Sequence, residues 1–87
     1  MANHASAQKR NRQRLVRAER NRAVRSTVRT AVKKARSAIE EGDKAVAAPL
    51  VLSASTLLAR AVAKGIVQKN TGARTTSRIN SALAKLG

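Results

Sequence analysis

Residues 1–36 contain no Gly, Pro or aromatic residue, and they carry most of the chain's Lys and Arg with a single acid, Glu19. Gly and Pro are the residues that interrupt helices most strongly, so nothing in this stretch stops a helix once it has begun. The 87-residue chain has a net charge of +15, and this segment supplies most of it. The pattern predicts a long cationic helix that lies against a polyanion.

The rest of the chain also has a helical composition. Sustained alternation of apolar and polar residues, which marks a strand, is missing, and Ala, Arg, Lys and Leu are frequent. We predict one domain over residues 1–87, an all-α, three-helix antiparallel bundle with a long, basic N-terminal helix that extends beyond it. Its core should be small and built from Ala, Val, Leu and Ile.

The first predicted helix runs from about Ser6 to Glu41 and ends at Gly42. At about 100° per residue, its second half divides into an apolar face and a basic stripe. The apolar face consists of Val24, Val28, Ala31, Val32, Ala35, Ala38 and Ile39. The stripe on the opposite side consists of Arg22, Arg25, Arg29, Lys33 and Arg36. We expect this half to be the wall on which both other helices pack.

Before Arg22 the cations point in nearly every direction around the helix. They are Lys9, Arg10, Arg12, Arg14, Arg17 and Arg20. No neighbouring helix could cover such a surface, and like charges three or four residues apart repel by about 0.2–0.5 kcal/mol per pair. We therefore predict that residues 1 to about 20 are disordered in the free protein and become helical only against phosphates.

The second predicted helix begins at Asp43, a good N-cap, and ends at Lys64 and Gly65. Its wide apolar face consists of Val46, Leu50, Val51, Ala54, Leu57, Leu58, Ala61 and Val62. Pro49 conflicts with this interpretation, because a proline inside a helix costs about 3 kcal/mol. Either the helix is kinked at Pro49, or it begins later and Pro49 lies in its first turn.

The third predicted helix runs from about Asn70 or Thr71, both capable caps, to Leu86. Its apolar face consists of Ile79, Ala82, Leu83 and Leu86, and an adjacent face carries Arg74, Arg78 and Lys85. Several weak helix formers lie in its first half, namely Thr71, Gly72, Thr75, Thr76 and Ser77. The first half of this helix should therefore be marginal.

Three of the four acids cluster at the first predicted turn, as Glu40, Glu41 and Asp43. One interpretation is capping, since all three favour the N-terminus of the second helix. The other is that this corner faces away from nucleic acid, because phosphates repel carboxylates. The residues alone leave both interpretations open.

Residues needed for catalysis and metal binding are missing. The chain has no Cys, and its one histidine, His4, has neither Cys nor acid nearby. We predict no enzymatic activity, no cofactor and no small-molecule substrate. The longest uncharged stretch, Ala45–Ala59, is shorter than the roughly 20 apolar residues of a membrane span, so a buried helix is predicted there. Because no secretory signal precedes it, we expect a cytoplasmic protein.

The partner should be RNA, DNA or an anionic membrane surface. Arginine predominates over lysine, which favours bidentate phosphate contacts. Neither a helix-turn-helix signature nor a heptad zipper indicates DNA reading. The lack of Phe, Tyr and Trp argues against base stacking. A long Arg-rich helix fits between the phosphate ridges of folded RNA. A nucleoid DNA-compacting protein and a membrane-active cationic helix stay open as alternatives.

The chain resembles one family along its whole length, the bacterial small-subunit ribosomal protein number twenty. Four blocks carry the resemblance: Met1, Ala2, Asn3, Ser6, Ala7, Lys9 and Arg10; Asn21, Arg22, Arg25, Ser26, Arg29, Thr30, Val32, Lys33 and Lys34; Ala38, Ile39, Glu40, Gly42, Asp43, Lys44 and Ala45; and Ala63, Lys64, Gly65, Ile66, Val67, Lys69, Asn70, Ala73, Arg74, Ser77 and Arg78. The resemblance implies a three-helix bundle that binds small-subunit ribosomal RNA directly, early in assembly. It also implies a monomer with few protein contacts.

We expect the RNA contacts to lie along the long helix and on a second surface formed by the other two helices. The candidate residues of the long helix are Lys9, Arg10, Arg12, Arg14, Arg17, Arg20, Arg22, Arg25, Arg29 and Lys33. Those of the second surface are Lys64, Lys69, Arg74 and Arg78.

Overall fold

The computed structural model describes the backbone of residues 2–86 and the side chains of residues 5–86. Met1, Gly87 and the side chain of His4 lie outside this range. The described residues form three helices and no strand, α1 (Ala2–Glu41), α2 (Lys44–Ala63) and α3 (Lys69–Ala84). The predicted all-α, three-helix antiparallel bundle with a long first helix is confirmed.

Helix α1 begins at Ala2, earlier than the predicted start at Ser6. The residues before Ser6 include no Gly or Pro, so nothing in them stops the helix. With 40 residues at about 1.5 Å each, α1 accounts for most of the 66 Å length of the molecule. It ends as predicted at Gly42, whose φ of 82° is the left-handed conformation that glycine adopts without strain.

Both predicted ends of α2 are confirmed. The carboxylate of Asp43 accepts a hydrogen bond from the Ala45 N–H at 3.1 Å, which caps the first turn. At the other end Gly65 has a φ of 75°, and its N–H donates to the Val62 carbonyl at 3.0 Å. The Ile66 N–H reaches back to the Ala61 carbonyl at 2.9 Å, which completes a Schellman motif.

Pro49 lies inside α2 and not in its first turn, because the helix already begins at Lys44. The alternative of a later start is therefore wrong. A proline at this position leaves the carbonyl of Ala45, four residues earlier, without its helical donor. Ala45 and Pro49 are both exposed, so water can bond to that carbonyl and reduces the cost of the proline.

Helix α3 begins at Lys69 and ends at Ala84, so the predicted caps Asn70 and Thr71 and the predicted end at Leu86 are wrong. The residue at the N-cap position is Gln68, which makes no side-chain capping bond. Its backbone is extended, and its carbonyl accepts the Gly72 N–H at 2.9 Å. Because the Schellman motif of α2 and the half-buried Val67 fix the connection, α3 starts there without a side-chain cap.

The core is a single apolar cluster to which all three helices contribute. Its buried members are Val28, Val32 and Ala35 of α1, Val51, Ala54, Leu58 and Ala61 of α2, and Ile79 of α3. No polar or charged side chain is buried among residues 5–86. Helix α3 packs mainly on α2 and only to a small extent on α1. The central helix is therefore α2, and the expectation that α1 is the wall for both others is wrong.

One residue of α2 that was predicted to lie on its apolar face is exposed instead. Val46 is 48% exposed, whereas its neighbour Ala47 is fully buried. The helix turns Ala47 inward, since Ala47, Val51 and Ala54 are all buried and follow one another at spacings of four and three residues. By length and composition α2 would also be able to cross a membrane, with 20 residues and a mean hydropathy of 1.7. Here its inner face forms the centre of the bundle.

Gly72 lies at a close approach of α3 to α2. It is buried, and a Cβ built on it would lie 2.5 Å from Cγ2 of Val62. That separation is far below van der Waals contact, so any larger residue forces Val62 or the helix to move. Val62 is β-branched and stiff at χ1, which makes the movement costly. The glycine that weakens the helix locally thus allows the two helices to meet.

We predict that Gly72→Ala lowers the free energy of unfolding by about 1 kcal/mol, because overpacking outweighs the better helix propensity of alanine. In a Val62→Ala background the Cγ2 atom is missing, and the same change should stabilise the protein by up to about 1 kcal/mol. Urea unfolding of the four proteins measures this coupling. Equal effects of Gly72→Ala in both backgrounds would contradict the close approach.

Candidate nucleic-acid interface

The N-terminal part of α1 stands clear of the bundle. We call residues 5–20 the basic arm. Every residue of the arm is exposed, including its two larger apolar side chains, Leu15 at 61% and Val16 at 48%. Coverage by the bundle begins at the half-buried Asn21 and Val24 and becomes complete at Val28. The arm is therefore a helix whose whole circumference is available to a partner.

At about 100° per residue, the predicted cations of the arm cover somewhat more than half of its circumference. They are Lys9, Arg10, Arg12, Arg14, Arg17 and Arg20, and each of them is exposed. Arg12, Arg17 and Arg20 surround a shallow depression together with Gln13 and Val16. A flat surface could contact only some of these cations at once. A partner that meets all of them must enclose more than half of the helix.

Further along α1 the structure brings Arg25, Arg29 and Lys33 together in one groove between α1 and α3. We call it the α1–α3 groove, and its volume is about 330 Å³. Apolar side chains of the core cluster and of the α2–α3 connection lie along it, namely Val28, Val32, Leu58 and Val67. On the opposite wall α3 presents Thr71 and Thr75, which carry no charge. The cationic wall of this groove is thus formed by α1 alone.

The second predicted surface is divided in the structure. Lys64, Lys69, Arg74 and Arg78 are all exposed, but they do not line a common groove. Arg74 and Arg78 are one turn apart on the outer face of α3, whereas Lys69 starts that helix on a different face. Lys64 lies beside Arg60 in a groove between α1 and α2. These cations offer separate contacts and not one continuous patch.

Three cations that line grooves were not among the predicted contact residues. Arg36 belongs to the α1–α3 groove, and Lys34 and Arg60 line the groove on the other side of α1. Arg36 could have been included from its place in the basic stripe. For Lys34 and Arg60 the periodicity gives the face of each helix but not the neighbouring helix beside it, so the sequence does not show that they line the same side of α1.

The cationic head groups are available to an external acceptor. Side-chain hydrogen bonds within residues 5–86 are made by Thr27, Asp43, Ser55, Thr56 and Asn80, and no Lys or Arg donates in them. The same part of the chain contains no group of three or more His, Cys, Asp or Glu that could hold a metal ion. What these helices present is a set of exposed positive charges at helical spacing.

Three of the four acids lie at the opposite end of the molecule from the arm. Glu40 and Glu41 are exposed at the end of α1, and Asp43 follows across the turn. The capping interpretation is confirmed for Asp43, which accepts the Ala45 N–H. The exposed Glu40 and Glu41 reinforce a negative corner there, which phosphates would avoid.

The fold and this surface define a class of protein, a narrow all-α bundle from which an exposed, strongly basic helix extends. Comparison with known proteins identifies the family. The family model described as ribosomal protein S20 matches residues 2–84. The small ribosomal subunit protein bS20 of Sorangium cellulosum (strain So ce56) is 51% identical over 85 residues, which cover 98% of this chain and 89% of that protein.

Two further relatives carry the same name. The protein of Anaeromyxobacter sp. (strain Fw109-5) is 49% identical over 86 residues, 99% of this chain and 96% of the relative. That of Bordetella avium (strain 197N) is 45% identical over 86 residues, 99% of either chain. The chain belongs to the ribosomal protein S20 family, a family of structural ribosomal proteins and not of enzymes.

We predict that Glu40→Lys combined with Glu41→Lys changes the affinity for ribosomal RNA by less than about threefold, because screening weakens charges beyond about 8 Å. Arg25→Gln combined with Arg29→Gln should lower it by about tenfold or more. Filter binding at a fixed salt concentration measures both. A loss of affinity in the glutamate variant as large as in the arginine variant would place the acidic corner in the interface.

Proposed function

We propose that this protein is a structural component of the bacterial small ribosomal subunit, in the cytoplasm, and that it binds 16S ribosomal RNA directly. In this proposal it stabilises the folded RNA during assembly of the subunit. Membership of the ribosomal protein S20 family and the names of the relatives support the assignment to the small ribosomal subunit. The bare basic arm supports direct contact with RNA, and it is the observation on which the proposal mainly rests.

The free energy of the arm favours coupled folding and binding. Ordering the backbone costs about 1–2 kcal/mol per residue, and helical hydrogen bonds offset this only narrowly without packing. The arm buries none of its residues and carries repelling cations at helical spacing. We therefore propose that residues 1 to about 20 are largely unfolded in the free protein. Phosphates on several sides of the arm would remove the repulsion and stabilise the helix observed here.

Folded RNA can supply phosphates on several sides of one helix, because its phosphate ridges enclose grooves and junctions. Such binding reads the shape of the RNA and not its sequence, since the arm has no side chain suited to stacking on bases. The proposed contact residues are Lys9, Arg10, Arg12, Arg14, Arg17, Arg20, Arg22, Arg25, Arg29, Lys33, Lys64, Lys69, Arg74 and Arg78. All of them are exposed.

The protein should act as a monomer with few protein contacts. The net charge of +15 opposes association of two copies, and the cations are spread over all three helices. Its main partner is therefore the RNA. A membrane is disfavoured as partner for the arm, whose apolar residues Leu15 and Val16 are too few to form an apolar face.

We predict that the logarithm of the affinity for 16S ribosomal RNA falls with the logarithm of the salt concentration with a slope of roughly −6 to −9, because about 8 to 10 phosphates are neutralised. Replacing Arg10, Arg14 and Arg17 by Gln should make this slope less negative by about 2–3. Salt titrations of the two proteins measure both slopes.

A slope shallower than about −3 for the unaltered protein would contradict the many-phosphate proposal. Duplex DNA of random sequence serves as the competitor in the same assay. Equal affinity for that DNA and for 16S ribosomal RNA at about 0.15 M salt would favour a DNA-compacting protein instead.

A further inference from the structure

A second groove, which we call the α1–α2 groove, lies on the other side of α1 from the α1–α3 groove. Its central part has a volume of about 410 Å³. Thr27 and Leu57 connect this part to a depression lined by Arg60 and Lys64, and Thr30 and Leu50 connect it to one that ends at Glu41 and Val46. The groove therefore follows α1 and α2 over most of their contact.

The walls of the central part carry hydroxyl groups. Ser26, Thr27, Thr30 and Lys34 line it from α1, and Ser53 lines it from α2 between the half-buried Leu50 and Leu57. Ser26, Thr30 and Lys34 follow one another at intervals of four residues, so they form one row along α1. The result is a groove with an apolar base, a row of hydroxyls along its edge and a single cation in its middle.

Most of these hydroxyls have no partner within their own helix. Thr27 donates to the Ala23 carbonyl at 3.0 Å, as helical Thr often does. Within residues 5–86 no corresponding bond is found for Ser26, Thr30 or Ser53, which are all exposed. Three exposed residues with hydroxyls that can both donate and accept thus line one groove.

Charge indicates what can occupy the groove. Arg60 and Lys64 line one end, Lys34 lies in the middle, and at the other end Glu41 offsets the charge of Lys33. A polyanionic strand therefore fits between Lys34 and Lys64 and avoids Glu41. With a single cation beside three hydroxyls, the central part is better suited to a sugar than to a phosphate.

We propose that the α1–α2 groove binds the sugar-phosphate backbone of RNA, with Ser26, Thr30 and Ser53 hydrogen-bonded to ribose 2′-hydroxyls and Lys34 and Arg60 on the flanking phosphates. The proposal rests on the proposed function and adds a basis for the choice of RNA over DNA. The 2′-hydroxyl is the group that distinguishes the two at a contact site, and it both donates and accepts. Leu50 and Leu57 would lie beneath the apolar faces of the sugars.

The test uses the full-length protein and the 16S ribosomal fragment that it protects from nuclease. The fragment is synthesised in two forms, as ordinary RNA and with 2′-O-methyl groups at the protected nucleotides, which keep the A-form but cannot donate. The test variant combines Ser26→Ala, Thr30→Val and Ser53→Ala. These changes lie on exposed helical positions, and alanine favours the helix, so the bundle stays folded.

We expect the unaltered protein to prefer the ordinary RNA by about tenfold, since three hydrogen bonds are at stake. The variant should lose this preference and keep its salt dependence. The matched control, Ser77→Ala with Ser81→Ala and Thr56→Val, removes exposed hydroxyls outside the groove and should behave like the unaltered protein. Lys34→Gln with Arg60→Gln should instead weaken both forms and reduce the salt slope by about 2.

A variant that keeps the preference for the ordinary RNA would overturn the inference, and so would one that loses affinity for both forms equally. Either outcome leaves the proposed function intact as long as the unaltered protein still binds 16S ribosomal RNA with a steep salt dependence. A shallow slope for the unaltered protein would count against the proposed function itself.

Discussion

Repulsion among the cations of α1 is the constraint on which the rest of the structure depends. From Lys9 to Arg20 these charges cover more than half of the helix circumference, with Glu19 as the only acid among them. A second helix could cover them only by burying unpaired charge, which costs several kcal/mol per group, more than a small apolar core can offset. The bundle accordingly begins near Val24, where α1 first offers an apolar face, and the arm is left for a partner that brings negative charge.

The composition of the core is suited to this arrangement. Alanines at positions 35, 54 and 61 are fully buried, and Gly72 lets α3 approach α2 even more closely. Small residues bring helix axes together, and the molecule is only 20 × 14 Å across its short dimensions. A bundle this thin keeps every cation at the surface and places grooves on both sides of α1. The same helix can therefore contact RNA on more than one side without losing its place in the core.

Much of the fold could be predicted from the sequence because the signals are local. Gly42, Asp43 and Gly65 end or cap helices through their own backbone or side chain, and the apolar period of α1 identifies its buried face. What could not be predicted depends on distances between helices. Gly72 looked like a weak helix former, and only its separation from Val62 explains it. The grooves likewise could not be predicted, because a helical wheel gives the direction of each side chain but not the helix that lies beside it.

The most direct test of the account is amide hydrogen exchange of the free protein and of its complex with 16S ribosomal RNA. We predict that amides of residues 8–20 exchange almost as in an unfolded chain in the free protein and at least about 100-fold more slowly in the complex. Amides of residues 28–38, in the core part of α1, should be protected in both states. Strong protection of residues 8–20 in the free protein, unchanged by RNA, would contradict the claim that the arm depends on its partner.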